Sequence, residues 1–172
     1  MAITINATVG SATANSFGTL EEATAYFDER LNADAWYTDS EKQKRALVMA
    51  TRRLNRENWL GSRASTVQAP AWPRSDVPKI DAVSGYGAWE FGSTARDYYL
   101  TTEIPLEIKH AEFELALAYL EGWTEGADGV SEFSESGGVT VKFRQARPDG
   151  ELPGAVVQLI APLIAGAELA RS

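Results

Sequence analysis

Ile104-Pro-Leu-Glu-Ile-Lys-His-Ala-Glu-Phe-Glu-Leu-Ala-Leu-Ala-Tyr-Leu-Glu-Gly122 decides how this chain folds. Ile104, Ile108, Ala111, Leu115 and Ala118 recur at steps of four and three, which marks one face of a helix. Phe113, Leu117 and Leu120 add a second apolar strip, so the helix is buried on more than one side and belongs at the centre of a bundle. Pro105 suits the first helical position, where its missing N–H costs nothing, and Gly122 stands where the helix stops. Glu103, Glu107, Glu114 and Glu121 are expected along the remaining wet edge.

The flanking sequence supplies partners for that helix. On the N-terminal side, residues 2–18 read as extended and then loop-like, with Ile3 and Ile5 alternating. Thr19-Leu-Glu-Glu22 is a capping box, and the helix behind it should run to about Leu31 with Leu20, Ala23, Phe27 and Leu31 facing inward. Thr38-Asp-Ser-Glu41 reads as a second capping box, opening a helix to about Arg56. Leu47, Ala50 and Leu54 share one side of it; Arg45, Arg52 and Arg56 share the other. Residues 58–103 carry Pro70, Pro73, Pro78, Gly85, Gly87 and Gly92, which preclude a long regular element. The same stretch holds Trp72, Tyr86, Trp89, Phe91, Tyr98 and Tyr99. So many aromatics predict that part of it packs on the bundle while Gly85–Gly92 projects.

On the C-terminal side, Val139-Thr-Val-Lys-Phe-Arg144 alternates as a strand, and Gly137-Gly138 offers a turn back to 130–134. A last apolar helix, Ala155 to Ala165, is opened by Pro153 and interrupted by Pro162. The expectation is therefore a mainly α protein: a single domain over 1–172, a small bundle of about four helices, a β-hairpin element and a long aromatic, Gly-rich loop insertion. The helical core should occupy about 19–56, 104–122 and 153–165, with the insertion over 58–103 and the β element near 130–145.

Composition narrows function. The chain has 172 residues, 44% of them hydrophobic, and no cysteine. That excludes disulfides and cysteine-ligated metals. No apolar run approaches the roughly 20 residues that cross a membrane, and the N-terminus lacks a signal-peptide pattern. A soluble protein that stays where it is made is expected. The net charge of −8 opposes general nucleic-acid binding. The charge is uneven, however. Residues 41–63 hold seven basic side chains against two acidic ones, a local +5 that leaves −13 elsewhere. A basic strip on an acidic chain suggests contacts between copies or with a partner.

Catalytic signatures are absent from the sequence. Glu107-Ile-Lys-His110 matches the Glu-x-x-His element of di-iron bundles, but that site needs two such elements and His110 is the only histidine. A serine triad would need the same histidine, and there is no Gly-x-Ser-x-Gly. Gly85-Tyr-Gly87 lacks the strand, third glycine and helix of a dinucleotide fingerprint. No enzyme activity, metal or cofactor is expected. Single-strand binding through aromatics interleaved with Arg is a further option. Residues 70–100 carry a net −1, which makes a poor funnel for a polyanion.

Three stretches together resemble one family. Ala12-Thr-Ala-Asn-Ser-Phe17 followed by Glu21-Glu-Ala-Thr-Ala-Tyr-Phe27 is one. Ala46 to Leu54 with Gln68-Ala-Pro-Ala-Trp-Pro-Arg74 is the second, and Ile104-Pro105 through Leu120 the third. They are similar to the small head–tail connector (neck adaptor) proteins of tailed bacteriophages, which also carry the label DnaT-like single-stranded-DNA-binding. Gly85–Gly92 looks like an insertion, and residues 121–152 match only loosely. The resemblance implies a non-enzymatic virion protein, made in the host cytoplasm, that forms a ring, commonly dodecameric, beneath the portal protein. The ring extends the DNA channel without binding DNA specifically and meets the stopper or tail-completion protein. It further implies that the C-terminal segment, with Leu159, Ile160, Leu163 and Ile164, docks on the portal. Arg45, Arg52, Arg56, Trp72, Arg74, Tyr86, Trp89 and Phe91 are the candidate contacts with neighbours or partners. The alternative is a single-stranded-DNA-binding protein of a replication module.

Overall fold

A computed structural model describes residues 3–80, 98–124, 132–135, 139–142 and 151–165. Among these residues the protein is mostly helical, with four α-helices: α1 (Leu20–Asp28), α2 (Ser40–Leu54), α3 (Leu106–Leu120) and α4 (Gly154–Ile160). Two short antiparallel ladders accompany them. β1 (Ser62–Arg63) pairs with β2 (Arg74–Ser75), and β3 (Glu132–Glu135) pairs with β4 (Val139–Lys142). The second ladder is the hairpin expected from the alternation, in register Phe133 to Val141. The Gly85–Gly92 tip lies outside the described residues.

α3 is the central element, in contact with α1, α2 and α4. Every residue from Ala111 to Leu117 is buried, which fits two apolar strips on one helix. Pro105 is the N-cap rather than the first helical residue. Its carbonyl accepts from the amides of Ile108 (3.1 Å) and Lys109 (3.3 Å) while its own backbone stays extended. At the other end Gly122 adopts φ +92°, and the amides of Gly122 and Trp123 return to Tyr119 and Ala118. That is the left-handed glycine stop that satisfies the last carbonyls of a helix.

α1 begins with the expected capping box: Thr19 Oγ1 accepts from the Glu22 amide, and the Thr19 amide donates to Glu22. It ends three residues earlier than predicted, and Leu31 is 85% exposed instead of facing inward. The chain turns away through Asn32 at φ +59°. A 3-10 turn, Asp34–Thr38, then delivers Ala33 and Trp36 to the core, where Trp36 packs on Phe27 at 4.7 Å between ring centres.

α2 is capped by Asp39, not by Thr38. Asp39 Oδ1 accepts from the amides of Glu41 (2.8 Å) and Lys42 (3.3 Å), whereas the Thr38 hydroxyl donates to the Ala35 carbonyl. A carboxylate at a helix N-terminus is also favoured by the helix dipole, which explains why the cap moves one residue along. Leu47, Ala50 and Leu54 face the core as expected.

The C-terminal helix is shorter than its apolar run. α4 gives way at Ala161–Leu163 to a 3-10 turn containing Pro162. That turn docks on the segment following α2: Leu60 donates to Leu163 (2.9 Å) and Ala165 to Asn58 (2.7 Å). One core thus runs from Phe17 to Leu163 and draws on all four helices.

Candidate functional site

The strongest polar feature is internal. Glu112, in the middle of α3, is 0% exposed. Its carboxyl accepts from the amides of Phe17 (3.0 Å) and Gly18 (2.8 Å) and meets the hydroxyls of Ser16 (2.8 Å) and Thr51. It therefore fastens the segment before α1 to both α2 and α3. Gly18 is required there, since a Cβ would run into the Phe113 ring. Each hydroxyl also faces a backbone carbonyl, Ser16 that of Gly18 (2.7 Å) and Thr51 that of Leu47 (3.0 Å). A hydroxyl has one proton to give. When Glu112 carries a proton on Oε1, it can donate to one hydroxyl, which is then free to give its own proton to its carbonyl; when Glu112 is ionised, both hydroxyls turn to it. Burial pushes its pKa up to about 7, with Thr51, Ser16 and the two amides opposing the rise. The sequence reading passed over this residue, because its partners lie near 17 and at 51.

A second network holds the loop after α2. Gln68, also buried, accepts from the Ser65 amide and donates to the carbonyls of Pro70 and Pro73, both at 3.0 Å. Arg63 donates to the carbonyls of Gln68, Ala69 and Pro70. Arg74 reaches back to Leu60 (2.6 Å), Gly61 (2.7 Å), Ala71 (3.3 Å) and Trp59 (3.4 Å). Gly61, at φ +67°, lets β1 approach so closely that a Cβ would overlap the Ser75 carbonyl. Trp72 is 0% exposed, edge-on to Trp59 and Tyr99, and its indole N–H meets no acceptor among the described residues. Of the candidate contact residues, Trp72 and Arg74 are thus committed to the chain's own interior, because a buried loop must satisfy its carbonyls.

The edge between α1 and α3 is a groove of about 760 Å³. Glu114, placed by periodicity on the wet edge, is only 8% exposed. It pairs with Arg30 at 3.0 Å and accepts from the Tyr26 hydroxyl at 2.6 Å. Burial and the Glu114 carboxylate hold the Tyr26 phenol well above its ordinary pKa. His110 lies against the Tyr26 ring at 4.6 Å, while Glu107 accepts from the Tyr99 hydroxyl. Glu107 and His110 therefore have separate neighbours. Lys109 bridges to Glu22 at 2.6 Å. Burial raises the Glu22 pKa, but the Lys109 and Thr19 hydrogen bonds outweigh it and the carboxyl ends below its usual value.

The outward chemistry lies on α2. Lys42, Arg45, Met49 and Arg52 are exposed at steps of three and four, forming one stripe, and exposed Arg56 follows just past the helix end. Beside its N-terminal half an apolar groove of about 420 Å³ is floored by Met49, Tyr119, Leu120 and Trp123, with Lys42 and Arg45 on its rim. In the C-terminal cluster, Ile160 and Leu163 belong to the core and Leu159 and Ile164 are half-buried against it. Tyr86, Trp89 and Phe91 lie outside the described residues. Among the described residues no cluster of His, Asp and Glu could hold a metal ion, and no helix is long and apolar enough to cross a membrane.

No curated protein and no solved structure matches the chain. A family model, described as "putative DnaT-like ssDNA binding protein", matches residues 1–171. The match spans nearly the whole chain, and the chain belongs to that family.

Proposed function

We propose that the chain is a structural adaptor of the head–tail connector of a tailed phage, non-enzymatic, and acting in the virion as a ring of copies below the portal. The observation that supports this reading is the division of polar chemistry. Glu112, Gln68, Arg74 and Glu114 are directed inward at the chain's own backbone and side chains. The outward feature is a cationic stripe on a molecule that is otherwise strongly acidic. Segregated charge suits a head-to-tail assembly, in which opposite faces of one subunit must match. An acidic remainder also suits a lumen through which DNA slides without sticking.

Removing the gene from the phage that encodes it provides the test. DNA-filled heads without tails are the expected product; normal tailed particles would rule the adaptor out. A second reading, single-stranded-DNA binding, has in its favour the family's description and the position of Tyr119 and Trp123 beside Lys42 and Arg45. Aromatics next to cations can stack bases. That reading expects micromolar binding of oligothymidine that falls steeply with salt.

A further inference from the structure

Among the described residues the most exposed large hydrophobic side chain is Leu31, 85% exposed. It stands at a turn, beyond the helix end at Asp28 and just before Asn32 at φ +59°. Asp28, Glu29 and Asp34 around it are all exposed. Arg30 and Lys109, which line the same groove as Leu31, are already paired with Glu114 and Glu22. Leu31 is thus an apolar knob flanked in sequence by exposed carboxylates. Over residues 19–39 as a whole, six acidic side chains stand against Arg30 alone, a net −5.

The α2 face has the opposite pattern. Its apolar groove, floored by Met49, Tyr119, Leu120 and Trp123, carries Lys42 and Arg45 on the rim, and Arg52 continues the stripe beyond it. Met49 is itself 47% exposed at the centre of the stripe. Segment 41–63 is +5, equal and opposite to segment 19–39. We infer that the two surfaces are the halves of one contact between copies of this chain, with Leu31 of one copy seated in the α2 groove of the next. Asp28, Glu29 and Asp34 then face Lys42, Arg45 and Arg52. The apolar centre supplies contact area, and the rim charges set register and exclude the wrong pairing. Because the two patches differ, each copy keeps a free patch after pairing, and the contact propagates into a ring or a filament.

This inference rests on the adaptor reading for its biological setting, but its test does not need the phage. Two full-length variants are compared by sedimentation velocity at low and high salt. Leu31→Ser lacks the knob and keeps the groove; the double variant Arg45→Glu, Met49→Glu lacks the groove and keeps the knob. The unmodified chain should self-associate with concentration, and about tenfold or more weakly at high salt. Each variant alone should stay monomeric. Their mixture should form a one-to-one dimer and nothing larger, since one intact contact remains. At a concentration low enough for the parent to be monomeric, circular dichroism melts of both variants should match it, because the substituted side chains are exposed. Monomeric behaviour of the unmodified chain, or association that both variants preserve, would overturn the contact. So would oligothymidine occupying the groove of a chain that does not self-associate, which would assign the stripe to nucleic acid. A ring in the particle with Leu31 and Met49 facing solvent would remove this contact and leave the adaptor intact.

Discussion

Glu112 is the residue at which local pattern and folded environment diverge most. On sequence it is one more glutamate in a helix rich in them, and Glu114, two positions on, is expected on the wet edge. Both are buried, since donors arrive from afar: Ser16, Phe17, Gly18 and Thr51 for one, Tyr26 and Arg30 for the other. A periodicity argument cannot see a donor 95 residues away. The elevated pKa gives a sign that can be measured. Glu112 binds its proton more tightly folded than unfolded, so its contribution to stability is complete below about 4.5 and is lost as pH rises through about 7. Glu22 and Glu41, whose carboxyls lie below their usual range, act in the opposite sense. Comparing wild type with Glu112→Gln at each pH cancels them. The stability advantage of wild type should be larger at pH 5.5 than at pH 8, by up to a few kcal/mol. An equal difference at both pH values would mean that Glu112 does not titrate in this window.

Arg74 makes a parallel case with a different cause. The Trp-Pro-Arg element carries the resemblance to the family, and an arginine in a loop invites a contact role. Its guanidinium instead answers four carbonyls of the chain that crosses beneath it. Lysine keeps the charge and loses the planar fork. Arg74→Lys should therefore destabilise by about 2 kcal/mol in urea unfolding, whereas a residue held for a partner would leave the melt unchanged.

At the scale of elements more of the structure is legible in the sequence. α3 was legible because burial on several sides writes two apolar strips, and a left-handed glycine ends it. The basic outer face of α2 is legible from its spacing: Arg45 and Arg52 share one exposed side, while Arg56, expected on the same face, lies in the turn just past Leu54. Ends were harder. α1 stops at Asp28 because the chain must turn to bring Ala33 and Trp36 inward, a tertiary demand that outweighs the apolar match of Leu31. At the start of α2 two cap residues compete, and the carboxylate takes the role. Asp39→Ala should cost about 1 kcal/mol of thermal stability, and Thr38→Ala clearly less, as it loses only its bond to Ala35. Equal costs would return the cap to Thr38.

At the scale of the whole molecule, the helices and the β3–β4 ladder followed from patterns of period 3.6 and 2. The loop after α2 did not. Its order comes from Gln68, Arg63 and Arg74 bonding backbone carbonyls, which no periodicity records. The candidate site divides along the same line. The exposed stripe follows from spacing, but the groove beside it joins α2 to Tyr119 and Trp123 across the fold. Trp72, Ile160 and Leu163, which look like surface anchors in isolation, are core residues once the segments meet.

Such a molecule has its chemistry turned inward and its charge sorted by face, and the adaptor proposal makes that sorting the basis of assembly. On that proposal a phage encodes this chain, and the direct measurement is a cryo-electron-microscopy reconstruction of its neck. The account predicts a ring beneath the portal in which each subunit fits as α3 surrounded by α1, α2 and α4, with α2 at a subunit boundary. A neck map with no density for this chain, or particles from which it is absent by mass spectrometry, would contradict it.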